Sequence, residues 1–137
     1  MGKYEILERD VYSVFNSTEW KAENIKTFPT NFVVMNTTND EFIRVSVIPS
    51  GKPIDRYSLA GILIIDIFTA AGSGTRRAMI IADTLDKYLL DKSKTTSTGK
   101  VTQFGISSLV HNGPDKALPV IHKSTYTIDF NFYGSPT

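Results

Sequence analysis

Residues 59–75, LAGILIIDIFTAAGSGT, decide the fold of this chain. The middle of this stretch, residues 62–68, is large and apolar apart from Asp66. Because successive side chains of a strand point to opposite faces, the run places apolar groups on both faces of its sheet. Such a strand is typical of the inside of a sheet with cover on each face. In a chain of 137 residues, that cover is either the protein's own helices or a second copy of the chain.

The flanking residues extend this strand into a strand–helix scaffold. Residues 42–48, FIRVSVI, alternate in the way a half-buried strand does, and a polar hairpin loop at 49–56 joins them to the apolar strand. After Gly72-Ser73-Gly74, the spacing predicts an amphipathic helix from Thr75 to about Leu90. Its predicted buried stripe is Ala78, Ile81, Ala82, Leu85 and Leu89, and its predicted water-facing residues are Arg77, Asp83, Asp86 and Lys87.

The N-terminal third begins with a second amphipathic helix. The spacing predicts it from about Tyr4 to Asn16, with Tyr4, Leu7, Val11 and Val14 on its apolar face. Phe28-Pro29 is expected to end any further helical turn, because a residue before proline disfavours the α conformation. An extended segment is expected at residues 31–35.

The C-terminal third is read as two strands. A short strand near residues 101–105 precedes a loop at 109–115, centred on Asn112-Gly113-Pro114. Residues 124–133 alternate, with aromatic and aliphatic side chains facing the core at Tyr126, Ile128, Phe130 and Phe132. The order of elements predicts a single α+β domain over residues 1–137, with a mainly antiparallel sheet of four to five strands packed against two helices.

Composition excludes several kinds of function. Fifteen basic and fourteen acidic residues give a net charge of +1, so no global field draws the protein to nucleic acid or to an anionic membrane. The chain has no cysteine, which excludes disulfides, thiolate metal sites and thiol nucleophiles, and fits synthesis in a cytoplasm. The charged N-terminus has no signal-peptide core, and no window has the length needed to span a bilayer.

Candidate catalytic and ligand sites are incomplete in this sequence. Gly72-Ser73-Gly74-Thr75 could aim backbone amides at an anion, but it lacks the P-loop lysine and the third glycine of the dinucleotide motif, so an ordinary helix start is favoured. His111 and His122, with Asp115, match no metal-ligand spacing, and are interpreted as a loop histidine and a strand histidine. Ser107-Ser108 lacks the G-x-S-x-G context of a hydrolase nucleophile.

Two charged features also have structural interpretations. Asp66 could be a buried general base, but Arg44 on the preceding strand is placed to pair with it across the hairpin. The basic, hydroxyl-rich residues 92–100 could touch a nucleic-acid backbone, but no aromatic stacking platform lies nearby in sequence, and a solvated loop is favoured.

The order of these elements resembles that of a known family. An N-terminal helix, then FIRVSVIPSG at 42–51, GILIIDIF at 61–68, AGSG at 71–74 and ADTL at 82–85, is similar to the tail terminator (tail completion, minor tail) proteins of long-tailed bacteriophages and prophages. The resemblance covers most of the chain. It rests on element order, length and the strand–Gly-x-Gly–helix centre, and residues 92–100 and the C-terminal tail match nothing in particular.

The resemblance implies a structural virion protein with no enzyme activity and no cofactor. Such a subunit forms a ring, expected to be hexameric, on the last ring of the tail tube, at the head-proximal end of the tail. There it ends tube polymerisation and presents a surface for joining the head. Its partners are then its own copies, the tail tube protein and the head-completion or connector protein, while phage DNA only passes through the lumen and no membrane is involved.

The residues predicted to contact neighbouring subunits or the tube are basic and lie in polar loops or at the start of the second long helix. They are Lys52, Arg56, Arg76, Arg77, Lys92, Lys94 and Lys100. Two alternatives stay open: another ring-forming virion subunit, such as a head-closure or tail tube protein, and a small ligand-binding or enzymatic α+β domain built around Arg44, Asp66 or residues 72–77.

Overall fold

A computed structural model describes residues 3–29, 41–49, 58–70, 74–95, 101–114 and 121–133 of the chain. The helices are α1 (Lys3–Phe15), α2 (Thr18–Lys21) and α3 (Gly74–Leu89). The strands are β1 (Lys26–Pro29), β2 (Phe42–Pro49), β3 (Leu59–Ala70), β4 (Ser93–Thr95), β5 (Val101–Pro114) and β6 (Ile121–Tyr133). Three elements predicted from sequence lie outside the described residues: the extended segment at 31–35, most of the hairpin loop at 49–56, and the glycine turn before α3.

The strands form one sheet in the order β1-β2-β3-β6-β5-β4. Every neighbouring pair is antiparallel except β1 and β2, which are parallel. The predicted α+β domain with a mainly antiparallel sheet and packed helices is therefore confirmed. Four of the six described strands are long, and the short strands β1 and β4 form the two edges.

One face of the sheet packs against the helices and forms the core. Tyr126, Ile128, Phe130 and Phe132 are all at most 1% exposed, which confirms the alternation predicted for the last strand. The core-facing side chains of β3 and β2 belong to the same cluster, namely Leu59, Leu63, Ile65, Ile67, Ile43 and Val45. Since β3 lies between β2 and β6, the apolar strand is inside the sheet as predicted.

The two long helices follow their predicted stripes with two exceptions. Every residue of the predicted α3 stripe is buried. On α1, Leu7 and Val11 are buried as predicted, but Tyr4 is 59% exposed because Ile6 and Phe15 supply the rest of the packed face. On α3, Asp86 does not face water as predicted, since its carboxylate accepts hydrogen bonds from the sheet.

The segment around Phe28 is a strand, which sequence reasoning missed. Trp20 is 1% exposed, and its indole N–H donates to Thr27 Oγ1 at 2.9 Å. That bond holds the chain extended beside β2, and Phe28 lies opposite Arg44 in the parallel pairing. Proline at position 29 is tolerated because β1 is an edge strand, where the N–H that proline lacks is not needed to pair with a further strand.

The predicted loop at 109–115 is wrong as far as Pro114. Residues 107–111 pair with β6, and a register shift between His111 and Gly113 absorbs the turn-forming residues within the strand. Gly113 has φ +83, a conformation that glycine adopts without strain. The predicted loop at 92–100 is also wrong at Ser93–Thr95, which form β4 against Val101–Gln103. A long partner strand, β6 for residues 107–111 and β5 for Ser93–Thr95, extends each pairing beyond what local turn signals predict.

Gly61 lies at the closest approach between β3 and its neighbour. A Cβ atom added at this residue would lie 2.3 Å from the backbone oxygen of Ile48 and 2.9 Å from Cζ of Phe130. Any side chain here would therefore separate the central strands.

No helix in the described part of the chain is long and apolar enough to cross a membrane.

Candidate assembly surface

The second face of the sheet carries no helix among the described residues, and we call it the open face. Strand pairing arranges its side chains in rows across β2, β3, β6 and β5. The open face comprises Phe42, Arg44, Ser46, Ile48, Ala60, Ile62, Ile64, Asp66, Phe68, Lys123, Thr125, Thr127, Asp129, Asn131, Tyr133, Val101, Gln103, Ile106, Ser108, Val110 and Asn112. The sequence predicts that both faces of β3 are covered. Among the described residues, helices cover one face only.

Large apolar side chains lie exposed at one end of the open face and along β5. Ile48 is 42% exposed, Ile62 is 39% exposed and Ile106 is 81% exposed. Ile48 and Ile62 are directly opposite each other on neighbouring strands. Val110, farther along β5, is 58% exposed. Single exposed apolar residues are ordinary, but several that share one sheet face indicate a contact surface.

A β-bulge aims Ile106 outward. Phe104 pairs with Phe130 and Ser107 with Ile128, so both Gly105 and Ile106 lie opposite Asp129. Asp129 Oδ1 accepts a hydrogen bond from the Ile106 N–H at 3.1 Å. A Cβ on Gly105 would lie 2.5 Å from the same oxygen. The carboxylate therefore satisfies the backbone donor at the bulge, and glycine leaves room for it.

The opposite end of the open face carries a small aromatic cluster. Phe42 and Phe68 stack with ring centroids 4.6 Å apart, and Phe28 packs edge-on against Phe42. The Arg44 guanidinium lies over the Phe68 ring, 5.3 Å from its centroid. Phe42 and Phe68 are each 5% exposed, so this end of the face is already covered, unlike the end around Ile62.

Arg44 and Asp66 lie opposite each other on neighbouring strands as predicted, but their side chains have other partners. The two residues are directly opposite on β2 and β3. Asp66 Oδ1 instead lies 3.9 Å from Lys123 Nζ and accepts a hydrogen bond from Thr125 Oγ1 at 3.3 Å. Arg44 Nε is buried and has no hydrogen-bond partner among the described residues, because the guanidinium lies over Phe68. Asp66 thus lies in a row of the sheet between Arg44 and Thr125, its direct neighbours on β2 and β6.

The two histidines lie on neighbouring strands, where sequence predicted one of them in a loop. His111 Nδ1 and Ser124 Oγ are 2.8 Å apart, and the His111 and His122 ring centroids are 6.1 Å apart. The described residues contain no group of three or more residues with metal-binding side chains, and Asp115 lies outside them. A pair of imidazoles supplies two of the three or four ligands that a zinc site uses.

A groove of about 260 Å³ runs between α3 and β5, and Asp86 lies in it. Asp86 Oδ1 accepts from Tyr126 Oη at 2.6 Å and from Ser107 Oγ at 2.7 Å. Burial, together with the hydrogen bond to Asp86, raises the pKa of Tyr126 well above its ordinary value. A phenol that holds its proton this tightly is a poor acid–base catalyst, and the network fastens α3 to the sheet. Neither this groove nor a second, along α1, is lined by Arg44, Asp66 or Arg77.

The outer surface of α3 carries the predicted basic residues 76 and 77. Arg76 is exposed on the side of the helix away from the sheet. Arg77 is tied down, because its Nε donates to Glu41 with the closer carboxylate oxygen at 2.6 Å. Met79 and Ile80, on the same outer surface, are 49% and 43% exposed. The spacing of the buried stripe does not predict this second apolar surface, because Met79 and Ile80 lie outside that stripe.

The remaining predicted contact residues lie at the opposite end of α3 or beyond the described chain. Lys92 is exposed, and its backbone carbonyl accepts from the Phe104 N–H at 2.8 Å, which begins the β4–β5 hairpin. Lys94 is in β4, opposite Thr102. Lys52, Arg56 and Lys100 lie outside the described residues. Among the described members of the predicted set, Arg76 and Lys92 lie near opposite ends of α3, so the structure does not bring these two into one site.

The sequence matches no protein-family model, and no curated protein matches it. A solved structure of a protein whose name states no activity has a similar fold. Its TM-score with this chain is 0.70, and the match covers 98% of this chain and 98% of that chain. The sequence identity is 14%, so this likeness shows the fold alone.

Proposed function

We propose that this chain is a structural, ring-forming subunit of a long-tailed phage virion that caps the tail tube as a tail terminator. The observation that carries the proposal is the open face of the sheet, with Ile48, Ile62 and Ile106 exposed on a face that has no helix in the described structure. Burial of apolar surface drives most protein association, so this face is suited to contact with another protein.

The family resemblance selects a ring former from the many proteins that have such a face. The strand–Gly-x-Gly–helix centre and the element order resemble those of tail terminators, and the α+β fold is compatible with the role. In this proposal, each subunit joins its neighbours head to tail, and the rotation between subunits closes the ring. The resemblance implies that this ring is a hexamer.

A terminator acts by geometry, without a chemical step. Once the ring is seated on the last ring of the tube, it offers the tube protein no further site for growth, and its other end receives the head connector. The basic residues Arg76 and Lys92 are exposed near opposite ends of α3 and remain candidates for contact with the tube or the connector. The proposed activity needs no cofactor.

Oligomer measurement tests the proposal directly. Native mass spectrometry over a range of concentrations, with negative-stain images of whatever assembles, should show closed rings with a central pore. Addition of purified tail tube protein should then give tubes of limited length with the ring at one end. Open filaments formed by the chain alone would instead indicate a tube subunit. If the chain fails to bind the tube protein both as a monomer and as an assembled ring, the terminator assignment is overturned.

A further inference from the structure

We infer that the open face of one copy contacts the outer surface of α3 on the next copy, so that neighbouring subunits join head to tail. This inference rests on the proposed function, since it assigns the contact that would build the ring. The open-face partner residues are Ile48, Ile62 and Ile106, and the helix partner residues are Met79 and Ile80.

The two apolar surfaces lie on opposite layers of the molecule. Ile106 projects from the sheet on the side away from the helices, whereas Ile80 projects from α3 on the side away from the sheet and Met79 lies on the flank of α3 that borders β5. A head-to-tail contact needs two different complementary surfaces on one subunit, and this arrangement supplies them. Contact between two open faces would leave Met79 and Ile80 in water.

The dimensions of the two surfaces agree. Helix α3 has 16 residues, which at 1.5 Å per residue is about 24 Å. Strand β2 has 8 residues, which at 3.3 Å per residue is about 26 Å. Because the Phe42 end of the face is covered, only the half around Ile48 and Ile62, about 13 Å long, can receive the helix, which is enough for the two helical turns around Ile80. Four strands at about 4.8 Å spacing give a platform wide enough for one helix of about 10 Å diameter.

Charge also favours a helix as the partner of the open face. Asp129 is exposed beside Ile62 and Ile106 and makes no ion pair with the described residues. The outer surface of α3 carries Arg76 and Lys87 with Asp83 between them, and all three are exposed. A cation of α3 can therefore neutralise Asp129 in the contact. Two open faces brought together would offer Asp129 only Lys123, which already lies 3.9 Å from Asp66, and Arg44, whose guanidinium lies over Phe68.

Disulfide cross-linking tests this contact cleanly, because the chain has no cysteine of its own. The double variant Ile106→Cys with Ile80→Cys places one thiol on each proposed surface. Under mild oxidation at high protein concentration, it should form a covalent ladder that extends beyond dimers. Each single variant should form at most a small amount of dimer. The matched control is Ile106→Cys with Tyr4→Cys, since Tyr4 is 59% exposed on the other long helix and should give no ladder.

Charge reversal gives a second measurement that does not depend on thiols. Arg76→Glu should weaken self-association about twofold to fivefold in sedimentation experiments, as expected for a rim charge pair. Asp129→Asn keeps a side-chain oxygen to accept the Ile106 N–H, and in its background Arg76→Glu should cause little further loss, because the charge that Arg76 faces is gone. Unchanged association in both single variants would remove the charge argument.

The outcomes separate this inference from the proposed function. Strong dimer formation by Ile106→Cys alone would mean that two open faces meet, and would overturn the head-to-tail contact. Only monomer in the double variant would also overturn it. A ladder accompanied by rings that fail to cap tail tubes would keep the contact and reject the terminator role. Capped tubes without the ladder would keep the role and reject the contact.

Discussion

The Asp129 carboxylate accepts a hydrogen bond from the backbone N–H of Ile106 at 3.1 Å, across the bulge between β5 and β6. This single bond satisfies a donor that the bulge removes from the ladder. It also holds Ile106 at 81% exposure on the open face. The residue that shapes the candidate surface, Asp129, is therefore a polar neighbour of Ile106, the residue proposed to make the contact.

Variants of the bulge should be strongly non-additive. Asp129→Ala should lower the free energy of unfolding by about 1 kcal/mol through the lost hydrogen bond. Gly105→Ala should cost about 1–3 kcal/mol, because its Cβ would lie 2.5 Å from Asp129 Oδ1. In the Asp129→Ala background that oxygen is gone, so Gly105→Ala should cost much less. Urea unfolding of the four proteins measures the coupling, and simple additivity would contradict the bulge geometry.

A matched pair of apolar truncations should separate assembly from folding. Ile106→Ala should change the free energy of unfolding by no more than about 0.5 kcal/mol, since the side chain is already in water. Leu63→Ala, on the same sheet but 0% exposed, should cost about 2–5 kcal/mol. Self-association measured by sedimentation should fall for Ile106→Ala. An equal loss of stability in both variants would show that Ile106 is buried in the folded subunit.

The Tyr126–Asp86 hydrogen bond should contribute stability that disappears at high pH. Tyr126→Phe should lower the free energy of unfolding at pH 7 by about 1.5–3 kcal/mol, the range for a bond to a charged group. Since the folded-state pKa is raised, the native protein binds the phenolic proton more tightly than the unfolded chain does. That contribution is fully present below the unfolded pKa of about 10 and is lost as pH rises toward the folded pKa.

The measurement is urea unfolding of the wild type and Tyr126→Phe between pH 8 and pH 11. Above about pH 10, the stability advantage of the wild type should shrink by about 1.4 kcal/mol per pH unit. Tyr133→Phe is the control, because that side chain is 42% exposed. A difference between wild type and Tyr126→Phe that stays constant over this range would contradict the assigned hydrogen bond.

Gly61→Ala should be among the most damaging single substitutions in the described chain. Its Cβ would lie 2.3 Å from the Ile48 backbone oxygen, which cannot move without disrupting the β2–β3 pairing. We expect a loss of at least about 2 kcal/mol, measured by urea unfolding. Gly113→Ala is the comparison: its Cβ would meet nothing within 4 Å, and the cost is limited to about 1–2 kcal/mol for its φ of +83.

The ion pair between Arg77 and Glu41 should contribute little to stability. The side chains are 35% and 37% exposed, so solvent screening limits the pair to less than about 1 kcal/mol. Arg77→Glu should be slightly destabilising, and the swapped double variant with Glu41→Arg should recover the loss in urea unfolding. Greater harm from the double variant than from Arg77→Glu alone would show that the geometry of the pair, not its charge, is what matters.

Local pattern was sufficient for the elements with strong periodicity. The alternation at 126, 128, 130 and 132 and the stripe of α3 were predicted from sequence and are confirmed, because burial of one face imposes a fixed period on each element. The strands around Phe28 and Val110 were missed. Their pairing depends on distant partners, β2 and β6, and overrides the local proline and Asn-Gly turn signals.

The sequence by itself determined an α+β class, a central apolar strand and the identity of most core residues, since these follow from the spacing of apolar side chains along the chain. Only the tertiary structure decided that both long helices pack on the same face, that a bulge turns Ile106 outward, and that Asp66 lies near Lys123 while Arg44 lies over Phe68. Those outcomes depend on strand order and register between residues far apart in sequence, and no local period encodes them. The open face is therefore visible in the fold, although its residues are ordinary strand residues in the sequence.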